Sequence, residues 1–258
     1  MSLEHRLTEA KLRFFTDISH ELRTPLTLIE GPLSEVLADE KLPEADREYL
    51  TVVQTNAHRM LNLINQILDF RKIQNEKMRL LVEKLNVRES LEAIMENFEN
   101  IARQHRIDFR LEMGADDVYV WADRDKFEKI FVNIISNAFK YTPPGKTITV
   151  RVKSDDENVV VAVQDQGVGI QPSKVAMLFQ RFDTILQDNI YQQSTGIGLS
   201  LVKQLVDLHH ARIDVQSEEG VGSTFEVSFP VGKTHLEDDE RVEFLMNDDI
   251  GVDGSPDD

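Results

Sequence analysis

His20 stands in the stretch FFTDISHELRTPLTLI, Phe14 to Ile29, directly ahead of the carboxylate Glu21 and four residues ahead of the hydroxyl Thr24. An imidazole can act as nucleophile, a neighbouring carboxylate can take its proton, and a residue four positions on comes up one turn later on the same helix face. Ile18, Leu22, Leu26, Ile29, Leu33 and Val36 recur at steps of three and four, the period of an amphipathic helix. At about 100° per residue His20 lies roughly 200° from Ile18 and from Leu22, so its ring is predicted to face water. Pro25 cannot donate the next helical hydrogen bond and predicts a bend just past this trio. By itself, a lone exposed histidine is most often a solvated surface residue.

A second set of residues could bind rather than react. DKFEKIFVNIISNAFKYTPPG places Asn133 and Asn137 one turn apart, with Lys140 and Tyr141 in the last turn. Amide oxygens are suitable hard ligands for Mg²⁺, and a lysine supplies a point charge for phosphate; an Asn pair alone is more often a capping or surface feature. In QDQGVGI, Asp165 at a strand end could accept from an exocyclic amine such as that of adenine. Gly167 and Gly169 would admit a close approach of backbone and ligand, though D-x-G-x-G occurs in many turns. STGIGLSLVKQLVDLHH opens glycine-rich and becomes helical, so Gly196, Gly198 and the Leu199 N–H could cradle a triphosphate at the helix start. Between the two glycine segments, LFQRFDTILQDNIYQQ has an apolar anchor (Leu178, Phe179, Phe182) and a polar stretch that reads as a lid. GVGSTFEVSF turns into a strand, with Thr224 able to reach a ligand or merely to pack.

The elements that must position these groups fall into two kinds. A polar segment, Ala38 to Asp46, separates the first helical pattern from a second carrying Leu50, Val53, Ala57, Met60, Leu61, Ile64 and Leu68. Each stripe is too wide for one partner, which predicts a helical hairpin that dimerises into a four-helix bundle; packing of the hairpin on its own chain is the alternative. From Met78 the period changes. MRLLVEKL, IDFRLEM, VYVWAD, KTITVRVKS, NVVVAVQD, RIDVQSE and STFEVSF read as strands, with helices at residues 87–105, 124–141 and 198–209 between them. Asn86 and Glu89 form a capping-box pattern. This order predicts an α+β sandwich, one mixed sheet with helices on one face.

The 258 residues accommodate one or two domains, and the absence of cysteine excludes disulfides and cysteine-based zinc sites. No run approaches the roughly 20 apolar residues of a membrane helix, so no membrane contact is expected of this region. A net charge of −17 argues against nucleic-acid binding. Lys233 to Asp258 holds ten acids and two bases, −8 of the −17, and reads as a linker or disordered end in which only VEFLM could dock.

Taken together, these segments resemble the transmitter region of a two-component sensor histidine kinase. The H-box resembles FFTDISHELRTPLTLI, the N-box NIISNAFKYTP, the two G-boxes DQGVGI and STGIGLSLV, the F-box LFQRF, and the last glycine motif GVGSTFEV, all in family order over roughly residues 7–231. The resemblance implies a dimerisation and phosphotransfer hairpin (residues 1–76), a Bergerat-fold ATP-binding domain (77–232) and an acidic tail (233–258). It implies a homodimer that uses ATP and Mg²⁺ and phosphorylates itself on His20, with Glu21 and Thr24 beside the acceptor. The phosphoryl group would pass to the aspartate of a response-regulator receiver domain, separate or in the same parent chain, and Thr24 implies phosphatase activity toward that receiver. Nucleotide contacts would fall on Asn133, Asn137, Lys140, Tyr141, Asp165, Gly167, Gly169, Ile170, Arg181, Thr195, Gly196, Gly198, Leu199 and Thr224, and the metal on Asn137 and Asn133. The implied setting is the cytoplasmic part of a membrane-anchored parent. Gyrase, Hsp90 and MutL share the ATPase fold but lack an H-box. Two departures stand out: Ser194 replaces a usual glycine, and Asp183 and Thr184 follow the F-box where a basic residue is frequent, leaving Arg181 as the nearest cation for a γ-phosphate. A non-catalytic ATP-sensing dimeric scaffold is the rival reading; a missing histidine or asparagine would favour it.

Overall fold

A computed structural model describes residues 21–39, 41–75, 77–179 and 197–245. The chain divides into two compact units, Met1–Met78 with Arg181–Leu201, and Arg79–Gln180 with Val202–Asp258.

The first unit is an antiparallel helical hairpin. Helix α1 covers residues 21–37 and α2 spans Glu44–Gln74. Pro25 removes only the hydrogen bond that would reach the Glu21 carbonyl, and α1 continues across it. Arg23 donates to Asn65 Oδ1 at 2.8 Å, His58 Nε2 meets Glu30 at 2.7 Å, and Gln54 donates to Ser34 Oγ at 3.1 Å. Numbers rise along one helix by as many residues as they fall along the other, which fixes the register. Arg47 closes the turn by donating to the carbonyls of Leu37, at the end of α1, and Asp39, just beyond it. Leu26, Ala57, Ile64 and Leu68 form the seam, with Leu61 against it. Outside that seam Leu28, Ile29, Val36, Tyr49, Val52, Val53 and Met60 lie exposed along both helices.

The second unit carries two sheets rather than the single one predicted. Strands β2 (Asp108–Glu112), β4 (Thr147–Ser154), β5 (Asn158–Asp165), β7 (Gly222–Pro230) and β6 (Arg212–Glu218) lie in that spatial order, β2 parallel to β4 and the rest antiparallel. Strands β3 (Tyr119–Asp123), β1 (Leu80–Asn86) and β8 (Val242–Phe244) form the smaller sheet. Alternation along the large sheet puts Ile148, Val150, Val159, Val161, Val163, Phe225, Val227 and Phe229 on one buried face. Helix α5 (Arg124–Tyr141) packs on β5, and its Phe127 and Phe131 meet the Phe229 ring, as does His209, which follows α7 (Ile197–Leu208).

The helix predicted over residues 87–105 is two, α3 (Val87–Glu96) and α4 (Glu99–His105). The break follows from Phe98, whose ring stacks on Phe139 at 5.4 Å and meets Phe109 edge-on at 6.4 Å. Asn86 caps α3 by accepting from Glu89 N, while the Glu89 carboxylate meets the Asn86 side chain rather than its backbone N–H, so half of the predicted box forms. A short helix α6 (Pro172–Val175) precedes half-buried Leu178 and Phe179.

The segment from Lys233, predicted as a linker or disordered end, is structured through Leu245. A 3₁₀ turn at Thr234–Leu236 buries Leu236 completely, and β8 pairs in parallel with β1, Leu80 opposite Val242 and Val82 opposite Phe244. Phe244 meets Trp121 edge-on at 6.0 Å, and Lys233 Nζ lies 5.3 Å from the Phe244 ring centre and 5.5 Å from that of Trp121. Asp239 accepts from Arg241 and contacts His210 Nε2 at 2.8 Å, and these hydrogen bonds, that of the Arg241 guanidinium first, hold its carboxyl well below the usual range. The acidic composition hid three apolar anchors. His209 is fully buried: Nδ1 donates to the Leu205 carbonyl at 2.7 Å and Nε2 accepts from Asp123 N at 3.1 Å, so the ring is neutral. Burial pushes its pKa down to about 4.

Candidate functional site

Helix α5 starts at Asp123, whose Oδ1 accepts from Lys126 N at 3.1 Å while Oδ2 accepts from Leu81 N at 2.9 Å. That one carboxylate ties the helix start to β1. Phe127, Ile130, Phe131, Ile134, Ile135, Ala138 and Phe139 are buried, which leaves Asn133 and Asn137 half-buried at the edge of the packed face. Asn133 donates to the Lys129 carbonyl at 2.7 Å. Lys140 and Tyr141 are exposed, with the Lys140 ammonium 5.2 Å from the tyrosine ring centre. Two neutral amides are too few to hold a cation alone. Mg²⁺ characteristically keeps waters and takes phosphate oxygens alongside one or two protein ligands, so the pair fits that metal in the company of a polyphosphate. Among the described residues no cluster of three His, Cys, Asp or Glu could hold a metal.

Asp165 closes β5 and is buried. Its Oδ1 accepts from Gly167 N at 2.8 Å and Ser223 N at 3.3 Å, leaving Oδ2 without a hydrogen-bond partner among the described residues. Burial raises its pKa, and the two N–H donors oppose that rise. Such a carboxylate, pinned at one oxygen and open at the other, is shaped to accept from a donor that arrives from outside.

Gly169 and Gly222 make room for the chain's own backbone. Gly169 has φ of +68°, and a β-carbon there would lie 1.9 Å from the Glu218 carbonyl oxygen; at Gly222, φ +144°, it would lie 2.0 Å from the Asp165 carbonyl oxygen. The space they spare is taken by the chain's own backbone, pressing the loop after β5 against the β6–β7 turn. Ile170 donates its N–H to Ser217 Oγ at 2.8 Å.

Thr224 does not join Asp165. Register pairs Asp165 with Ser223 and Gln164 with Thr224, and alternation sends Thr224 to the opposite sheet face. The residues that share the Asp165 face are Ser223 and, across from it on β6, Ser217. Both were missed from sequence. The signal was present in the alternation Ile213, Val215, Ser217 and Ser223, Phe225, Val227, Phe229, but it needs strand register to be read.

Gly198 and Leu199 lie half-buried in the first turn of α7, a helix of 12 residues whose first N–H groups have no intrahelical acceptor. Glu21 and Thr24 are exposed on α1. His20, Arg181, Thr195 and Gly196, with the predicted lid, lie outside the described residues.

Comparison with known proteins gives this arrangement a family. Residues 10–76 match the His Kinase A (phospho-acceptor) domain, and residues 122–233 match the histidine kinase-, DNA gyrase B- and HSP90-like ATPase. Histidine kinase P4 of Formosa agariphila is 39% identical over 95% of this chain and 18% of its own length. Sensor histidine kinase TmoS of Ectopseudomonas mendocina is 35% identical over 88% of this chain and 23% of its own. Sensor histidine kinase WalK of Bacillus subtilis is 32% identical over 92% and 39%. The chain thus spans less than half the length of these relatives. A structure of full-length ShkA with AMPPNP superposes with a TM-score of 0.68 at 24% identity, covering 84% of this chain and 45% of that one, a likeness of fold. The catalytic domain of histidine kinase ThkA gives 0.53 at 26% identity, covering 58% of this chain and 96% of that one. With both domains matched in order, and a hairpin followed by a Bergerat-type sheet domain, the chain belongs to the two-component sensor histidine kinases and comprises their transmitter region.

Proposed function

We propose that this region binds ATP and phosphorylates itself on His20. The observation that carries the reading is the buried Asp165 carboxylate, fixed at Oδ1 and open at Oδ2, which suits the adenine amino group. Its neighbours in the scheme are Gly167, Gly169 and Ile170 in the same loop, Asn133, Asn137, Lys140 and Tyr141 on α5, and the N–H groups of Gly198 and Leu199. Thr195, Gly196 and Arg181 complete it by resemblance. Thr224 is left out, because it sits on the other sheet face. A nitrogen of His20 attacks the γ-phosphorus in line as the bond to the β–γ bridging oxygen breaks and ADP leaves. Glu21 takes the imidazole proton, which keeps the nucleophile neutral and aimed. Asn137 and Asn133 would hold Mg²⁺, which supplies charge to the phosphate oxygens.

We assign residues 1–76 to dimerisation and phosphotransfer and 77–232 to catalysis. Homodimerisation of the hairpin is supported by its exposed apolar residues, Tyr49 at 75% and Leu28 at 69% exposure among them, which a second copy would cover in a four-helix bundle. The phosphoryl group then passes to a receiver-domain aspartate. Thr24, exposed one turn from His20, aims water at that aspartyl phosphate, hydrolysing it to free aspartate and inorganic phosphate. Thr24→Ala is expected to slow receiver dephosphorylation and spare autophosphorylation; equal loss of both would make it a structural residue beside Pro25. No described helix is long and apolar enough to cross a membrane, which accords with a cytoplasmic region of an anchored parent.

The deciding experiment incubates the chain with labelled ATP and Mg²⁺ and then treats it with acid or alkali. Label that is lost in acid and kept in alkali is expected, the signature of phosphohistidine. Wild-type protein that binds ATP yet takes no label would leave the scaffold reading in its place.

A further inference from the structure

At one end of the buried face of the large sheet, the apolar alternation gives way to a row of polar residues. Asp165 on β5 is opposite Ser223 on β7, which is opposite Ser217 on β6. Ser217 is the most fully engaged of the three. A serine hydroxyl has one hydrogen to donate and two lone pairs to accept with. Ser217 donates to the Gly222 carbonyl at 3.0 Å, accepts from Ile170 N–H at 2.8 Å, and lies 2.9 Å from Ser223 Oγ, whose hydrogen fills the second lone pair. It is a tie with three ends: the loop after β5, the β6–β7 turn and the strand beside Asp165.

The tie bears on Asp165 from both sides. Ser223, held through its hydroxyl by Ser217, donates its backbone N–H to Asp165 Oδ1. Ile170, held through its N–H, ends the loop whose Gly167 donates to the same oxygen. Gly220 N donates to the Val168 carbonyl at 2.8 Å, so loop and turn also share a backbone bond that does not depend on Ser217. Removing the Ser217 hydroxyl would free the two donors' supports without separating the segments.

We propose that Ser217 is a positioning residue for the nucleotide base: by clamping Ile170 and Ser223 it fixes Asp165 Oδ1 and so directs Oδ2 at the exocyclic amine. This rests on the ATP reading of Asp165 given above. A serine with this role acts only on ligands that carry the amine. A serine that merely stabilises the turn acts on all nucleotides alike.

The test uses the full chain and calorimetry with two nucleotides, ADP and inosine diphosphate, which carries a carbonyl in place of the amine. Wild-type protein is expected to prefer ADP by about tenfold or more, the worth of one hydrogen bond to a charged acceptor. Ser217→Ala is expected to weaken ADP by about five- to tenfold and to change inosine diphosphate less than about twofold, while Ser217→Thr, which keeps the hydroxyl, retains the preference. Equal loss for both nucleotides in Ser217→Ala, or an unchanged preference, overturns the proposal. Asp165→Asn provides the second arm. If its preference collapses while that of Ser217→Ala persists, Ser217 alone has been misassigned. If wild-type protein shows no preference, the reading of Asp165 falls and the proposal with it.

Discussion

At the scale of single residues, the chemistry was legible where a residue type was rare in its setting and illegible where it depended on a neighbour across a strand. Asp165 ends an apolar strand ahead of two glycines, a pattern common in turns that gained weight only beside the other boxes in family order. Ser217 and Ser223 are ordinary serines in sequence; only the β5–β7–β6 register brings them to the carboxylate. The glycine turn before Thr224 announces a strand without fixing which of its residues faces inward. His209 carries a consequence for stability. Its folded pKa, about 4, is below the unfolded value near 6.5, so between these pH values the unfolded chain binds more protons. Stability is therefore full above pH 6.5 and falls as pH drops toward 4. His235 is shifted the same way by burial and adds to the slope. Urea unfolding at pH 7.5 and pH 5 is expected to differ by roughly 2 kcal/mol, with His209→Gln less stable at pH 7.5 but less sensitive to acid. An equal slope in that variant would place the titration elsewhere.

At the scale of elements, periodicity located seven strands and the long helices because each runs for several repeats of its own period. It missed what is shorter than a repeat. The break between α3 and α4 is two residues, imposed by Phe98 packing between Phe109 and Phe139 rather than by a glycine or proline. Strand β8 is three residues in an acidic stretch, so composition outweighed Val242 and Phe244. What holds it is a set of anchors, chiefly Leu236, at 0% exposure, and the contacts of Asp239 with Arg241 and His210. Leu236→Ala is expected to destabilise the second unit by about 2–4 kcal/mol, the cost of emptying a filled site. Urea unfolding read by the fluorescence of Trp121, the sole tryptophan and a neighbour of Phe244, measures it directly. An unchanged midpoint would mean that the segment contributes nothing to the fold.

At the scale of the whole molecule, the two kinds of chemistry segregate. Residues around position 20 and those around Asp165 fall in separate compact units, so each can be disabled alone. His20→Ala is expected to abolish labelling from ATP while leaving ADP affinity within about twofold, by calorimetry. Comparable loss of both would contradict a division of labour between units. That division was legible in the change of hydrophobic period near Met78. The second sheet was not, because its strands come from three distant stretches of the chain. One of its pairings ties assembly to synthesis. Among the described strands of its unit β1 is the first made and β8 the last, with Leu80 opposite Val242. A ribosome adding about 5–20 residues per second needs roughly ten to thirty seconds to travel between them. Throughout that interval β1 waits with one edge unpaired, exposing a row of backbone donors and acceptors that a neighbouring nascent chain could capture. A translation pause placed between β1 and β8 would lengthen that exposure, and one placed before β1 would not.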